Sequence, residues 1–252
     1  LTLRACVAAR AGVITRTAQV HEAAWKRLFD DFLLERLGPD EPPFSEEDYL
    51  AHVDGRPRYD GVAAFLASRG IELPRGEPLD PSDAHTVCGL GNRKNAYFRT
   101  EVREHGVERF ASTMALVADL RSAGVRVAAV SASENQGLVL SAAGVQDDFD
   151  VLIDGVMARD LGLAGKPDPA LFLEAARRLG VPPERTAVVE DARSGVAAGH
   201  AGGFGVVVGV DRAGRPDELA AAGADLVVQD LAEVQVVTGT DGESWLLAGA
   251  QR

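Results

Sequence analysis

From residue 111 onward, short apolar runs alternate with amphipathic helical patterns, and this alternation constrains the fold more than any other feature. The 3.6-residue spacing predicts helices over Ala111–Ser122, Glu134–Ala143, Pro169–Leu179, Ser194–Ala201 and Asp217–Ala222. Between them lie strand-like runs at Val125–Val130, Asp150–Ile153, Thr186–Val189 and Phe204–Val210, with Leu226–Val228 as a final strand. Apolar strands joined through helices predict an α/β fold whose Rossmann-like parallel sheet is covered on both faces. Ligands of such a sheet sit beyond the carboxyl ends of the strands. Ala5-Cys6-Val7 adds one more apolar run near the start, and Gly12 opens the turn after it. Ala8-Ala9-Arg10-Ala11 therefore fills a strand-to-turn junction where chemistry is expected. Its methyl groups offer neither a nucleophile nor a metal ligand.

The stretch between these β/α portions contains no convincing strand. Ala24, Leu28, Phe32 and Leu33 recur at helical spacing within His21–Leu37, and Leu37-Gly38-Pro39 ends that pattern. Ser45, with Asp48 three residues on, reads as a capping box opening a short helix. Asp54-Gly55-Arg56-Pro57 reads as a turn, Tyr59–Ser68 as a helix, Pro74–Pro81 as a loop and Ser82–Glu104 as a further helix. The expected division is a core formed by residues 1–16 and 106–252, with an all-helical domain inserted at 17–105.

Composition narrows the function. Of 252 residues, 46% are hydrophobic, enough for a large core and against disorder. The formal charge of −12 gives no electrostatic footprint for nucleic acid or an anionic membrane. No apolar run approaches a membrane span, and the first residues do not read as a charged-then-apolar leader. Cys6 and Cys88 read as two buried thiols, consistent with a reducing cytoplasm. The tail Gly239–Arg252 has turn residues and an isolated Trp245, and suggests no function.

Three later strand ends carry polar groups. Val125–Val130 runs into Ser131-Ala132-Ser133-Glu134-Asn135, where a hydroxyl ahead of a helix can join free N–H groups to hold phosphate. Ser133 as a plain helix cap is the bland alternative. Gly165-Lys166-Pro167-Asp168-Pro169 sets a lysine ahead of two prolines that fix the backbone, a point charge suited to phosphate or simply a solvated loop lysine. Val188-Val189-Glu190-Asp191 brings paired carboxylates out of an apolar strand, as a hard cation requires. There the bland alternative is Asp191 as the cap of the next helix.

The segments GVITRTAQVHEAAWKRLFDDFL, HVDGRPRYDGV, GLGNRKN, VSASEN, AGKPDP and VVEDARSGVAAGHAGGFG together resemble the haloacid dehalogenase superfamily, most closely its β-phosphoglucomutase-like branch with a helical cap. The resemblance spans Ala5 to about Asp230. It implies that the first strand should end in Asp-x-Asp-Gly, the first Asp attacking phosphorus and the second serving as general acid and base. Alignment on Gly12 puts Ala9 at the nucleophile position and Ala11 at the acid/base position. The resemblance further matches Ser131, with Ala132 beside it, and Lys166 to groups gripping the transferred phosphoryl. Glu190 and Asp191 match the pair serving magnesium, which would be held more weakly here. Arg58 matches an arginine for a distal phosphate, and Thr17, His21 and Lys94 match positions that steer substrate and acid/base. Glu134 stands where some mutases carry lysine, and Arg16 where an acidic residue is common. Arg10 would reach a phosphate, turn to solvent, or pair with Glu190 or Asp191.

Three functions follow as alternatives. The first is a pseudo-enzyme that still recognises a small phosphorylated sugar, with no organic cofactor and a protein partner as an option. The second is an enzyme of another reaction class using Glu190, Asp191, His21 or Lys166. The third is an altered form of an active magnesium-dependent mutase or sugar phosphatase.

Overall fold

The structure is a computed structural model that describes residues 3–9, 11–53, 56–239 and 244–248. Contacts divide the chain into a unit of residues 1–17 and 107–252 and a second unit of residues 18–106.

In the first unit the order is β1 (Ala5–Ala9) and later α5 (Ala111–Ser122), β2 (Arg126–Val130), α6 (Gln136–Ala142), β3 (Val151–Ile153) and α7 (Gly155–Asp160). There follow α8 (Ala170–Leu179), β4 (Thr186–Glu190), α9 (Arg193–Ala201), β5 (Val206–Val210), α10 (Pro216–Ala221) and β6 (Leu226–Val228). Among the described residues these strands form one six-stranded sheet, ordered β3-β2-β1-β4-β5-β6, with every pairing parallel. β1 is central and wholly buried, so its small Ala-Cys-Val-Ala-Ala run faces packed helices on both sides. Cys6, Ala8, Val127 and Val189 share one face with Leu116 and Leu120 of α5. Val7, Val130 and Val188 share the other with Phe172 of α8 and Val196 of α9. Alternating side chains thus bury both faces, and each fully buried Val, Leu or Phe contributes about 1.5–3 kcal/mol.

The second unit holds α1 (Ala18–Leu37), α2 (Glu46–Asp48), a π-helical turn Tyr49–Val53, α3 (Arg58–Ser68) and α4 (Val87–His105). Its core is aromatic: Trp25, Phe29 and Phe32 of α1 pack with Phe44 and with Phe65 of α3, the Phe29 and Phe65 rings 4.0 Å apart. Ser45 and Asp48 form the expected reciprocal capping box. The predicted turn at Asp54-Gly55 lies outside the described residues.

Four local expectations are corrected. Leu226–Val228 is not the last strand, because Val234–Thr238 (β7) and Ser244–Ala248 (β8) form an antiparallel hairpin. Its Val-Gln-Val-Val-Thr run has strand chemistry but follows a polar connection, and its partner Ser244–Ala248 falls within the stretch Gly239–Arg252 that reads as tail. Helix α7 escapes periodicity because it is six residues long, and Asp154 caps it by accepting from Met157 N at 2.8 Å. Helix α4 begins at Val87 rather than Ser82, with Thr86 accepting from Gly89 N at 2.9 Å. Finally, neither Ser133 nor Asp191 is a helix cap: the caps are Asn135 and Ala192, and neither cap's side chain bonds its helix.

Candidate functional site

Parallel register brings the carboxyl ends of the strands to one edge. Ala9 lies beside Val130, and Ala8 beside Val189, so Ser131 and Glu190 each emerge one residue beyond a β1 partner. Ala9 is buried at 3% exposure, whereas Ala11 is exposed. Neither has an atom able to attack phosphorus or carry a proton. The expectations for Arg10 fall outside the described residues.

Glu190 is 1% exposed, and a carboxylate buried so deeply requires partners. Lys166 Nζ donates to its Oε1, and Ala192 N donates to Oε2 at 2.7 Å. Gly195 makes room for it, since a Cβ there would fall 2.1 Å from Glu190 Cδ. Lys166 also sits 4.9 Å from the centre of the Phe172 ring, so its cation is held between a carboxylate and an aromatic face.

Asp191 depends on Gly12. A Cβ at Gly12 would lie 1.7 Å from Asp191 Oδ2, and the glycine has φ +72°, a conformation costly for any other residue. Burial, and after it the charge of Glu190, pushes the Asp191 carboxyl up to about 7, against the opposing fields of Lys166 and Arg212. Two adjacent carboxyl groups here therefore favour one charge over two.

Ser131 is buried, and its Oγ accepts from Ser133 N at 3.1 Å. Ser133 Oγ in turn accepts from Asn135 N at 3.2 Å. Gly155 N at the start of α7 donates to Ser133 O at 3.1 Å and braces this loop, leaving Ala132 exposed at its bend. Thr17, at the boundary of this unit, is 1% exposed and its hydroxyl has no hydrogen-bond partner.

In the helical unit, Lys94 is 5% exposed and lies 2.7 Å from His21 Nδ1. An ammonium only donates, so a charged Lys94 makes Nδ1 of His21 the acceptor in this contact. The Lys94 cation is also 4.9 Å from the Trp25 ring and 5.2 Å from Phe98, on which His21 stacks at 4.3 Å. Arg58 engages another part of α4: it donates to Tyr59 Oη at 3.0 Å, and Tyr59 donates to Asn92 Oδ1 at 2.9 Å. Arg58 Nε is buried without a partner.

The predicted residues thus form a core set, Ala9, Ala11, Ser131, Ala132, Lys166, Glu190 and Asp191, while His21, Arg58 and Lys94 belong to the helical unit. Arg212 is absent from the predicted set. Its Nε donates to Gly12 O at 2.9 Å, and its charge acts on Asp191. Its sequence signal is slight, a charged residue just past the end of an apolar strand.

The residues present do not fit a firmly held magnesium ion. Glu190 has both oxygens engaged, by Lys166 and by Ala192 N, and Ala9 and Ala11 contribute no oxygen from their side chains. Among the described residues no three His, Cys, Asp or Glu side chains converge as a metal site. A magnesium ion demands a near-octahedral set of oxygens, and this pair falls short of it. What the core set can do is hold an oxyanion beside Lys166 and Ser131 and keep a proton on Asp191.

Comparison with known proteins gives concordant results. A family model for haloacid dehalogenase-like hydrolases matches residues 10–203. A β-phosphoglucomutase of Mycobacterium bovis is 47% identical over 239 residues, covering 92% of this chain and 91% of its own. A β-phosphoglucomutase of Bacillus subtilis is 29% identical over 225 residues, 88% of either chain. The crystal structure of a haloacid dehalogenase family hydrolase from Deinococcus radiodurans, with bound phosphate and sodium, superposes with a TM-score of 0.67 at 28% identity. That superposition covers 92% of this chain and 93% of the other.

Proposed function

Since the chain belongs to the haloacid dehalogenase-like hydrolase family, in its β-phosphoglucomutase-like branch, we propose that it binds a small phosphorylated sugar without transferring the phosphoryl group. One observation carries this reading: methyl groups at Ala9 and Ala11 stand at the end of β1, beside an otherwise furnished set of Ser131, Lys166, Glu190 and Asp191. Phosphoryl transfer through a covalent enzyme intermediate needs a nucleophile and a proton carrier. Neither alanine supplies one. Where two members of a cooperating set are lost together, turnover falls by about 10⁴-fold or more.

Binding needs less. Lys166 supplies charge and Ser131 a hydroxyl, and the phosphate bound by the Deinococcus radiodurans relative supports a phosphate-bearing ligand. The resemblance assigns Arg58, Lys94, Thr17 and His21 to the same ligand. The test is titration calorimetry with glucose 6-phosphate and β-glucose 1-phosphate, with and without magnesium, together with a phosphate-release assay. Heat of binding without release is the expected result. Steady release from the unmodified chain would overturn the reading, and silence in both measurements would point to another ligand class.

A second reading, supported by the 47% identity to a β-phosphoglucomutase, takes the chain as an altered form of an active enzyme. Its test is the native gene: aspartate codons at positions 9 and 11 would establish it, and alanine codons would end it.

A further inference from the structure

The chain leaves the core unit through residues 11–17 and re-enters it through residues 107–110. These two crossings are hydrogen-bonded to each other within the core unit: Arg16 N donates to Glu108 O at 2.9 Å and Phe110 N to Ile14 O at 3.0 Å. Gly12 N donates to Thr15 O at 3.1 Å, which folds the first crossing back on itself. A single guanidinium reaches both. Arg212 Nε donates to Gly12 O at 2.9 Å on the first crossing, and its plane lies 3.9 Å from the centre of the Phe110 ring on the second. Its third attachment is to the far edge of the sheet, where Nη1 donates to Gln229 O at 3.1 Å and meets Asp230 Oδ2 at 3.4 Å. Arg16 lies against the same Phe110 ring at 4.4 Å.

We propose that Arg212 is a positioning residue, a clasp that locks the two crossings together and holds Gly12 against the Asp191 carboxylate. The contact at Gly12 gives the clasp its reach into the site. Asp191 Oδ2 occupies the space a Cβ of residue 12 would fill, so a shift of this turn displaces the acid pair directly. Only a planar group with donors on separate edges makes these contacts at once; the point charge of lysine does not. The clasp is independent of which ligand the site takes.

Amide hydrogen exchange on the full chain tests this, using Arg212→Met, Arg212→Lys and Phe110→Leu. The amides of Gly12, Arg16 and Phe110 should exchange about tenfold faster in all three variants, the scale of losing one charge-assisted hydrogen bond. Amides in the middle of β4 and α8 should change by less than about twofold, because they report global rather than local opening. Equal acceleration everywhere would mean that Arg212 only adds stability, and would overturn the proposal. So would unchanged exchange at the three amides, or full protection retained by Arg212→Lys. Should Arg212→Met fail to fold, the lysine and Phe110 variants decide the matter alone.

Discussion

Glu190 and Asp191 are adjacent carboxyl groups with opposite solutions to burial. Glu190 is satisfied by Lys166 and Ala192 N, so removing the cation leaves a buried charge uncompensated. Lys166→Met should cost about 3–5 kcal/mol, read as a lower midpoint in urea unfolding. Asp191 instead keeps its proton, its carboxyl raised to about 7 by burial and by Glu190. The folded state then binds a proton that the unfolded chain has already released at about pH 4. Stability attributable to this residue is full below pH 4, declines as pH rises from about 4 to 7, and is flat above that. Asp191→Asn should remove this decline and raise the melting temperature at pH 8 but not at pH 4. A variant that melts lower than the parent at pH 8 would refute that assignment. Cys6 is a further case of burial acting on ionisation: its thiol is pushed up to about 12, so it should resist alkylation at pH 8 until the protein unfolds.

At the level of elements, the junction after β1 concentrates the constraints. Gly12 has a left-handed backbone and an Asp191 oxygen where a side chain would begin. Gly12→Ala should therefore destabilise by about 1–3 kcal/mol. Combining it with Asp191→Ala should recover the steric part and leave the backbone part, a coupling that a double-mutant cycle reads. Much of this architecture is legible in the sequence. The alternation of strands and helices identifies the sheet, because buried parallel strands are uniformly apolar and their helices are not. Ser131, Lys166 and Glu190 are legible because polar groups at the ends of such strands have few reasons to be there. Arg212 is not, since its role depends on Gly12 and Phe110, some 200 and 102 residues away in the chain. The β7–β8 hairpin is missed for a related reason: strand propensity depends on the partner, and the partner of Val234–Thr238 lies in a stretch rich in turn-forming residue types. Neither are the short α7 and the Glu190 bond to Ala192 N visible at the level of residue types. Both belong to local backbone geometry.

For the whole molecule, family membership and chemistry point in different directions. The fold and the sequence identity place the chain among relatives of β-phosphoglucomutases, while the alanine side chains at the end of β1 offer neither a nucleophile nor a proton carrier. The donor set for magnesium is short for the same reason, so magnesium should leave the melting temperature of the parent unchanged. Ala9→Asp adds an oxygen donor at the buried strand end and should make the melting temperature respond to magnesium. The central claim is that ligand recognition survives and only the reacting groups are gone. The most direct test is phosphate release from β-glucose 1-phosphate, with magnesium, by the parent and by the Ala9→Asp, Ala11→Asp double variant. The account predicts turnover by the double variant and at least about 10⁴-fold less by the parent. Comparable turnover by both, or a double variant that folds and binds the sugar phosphate yet stays silent, would contradict it.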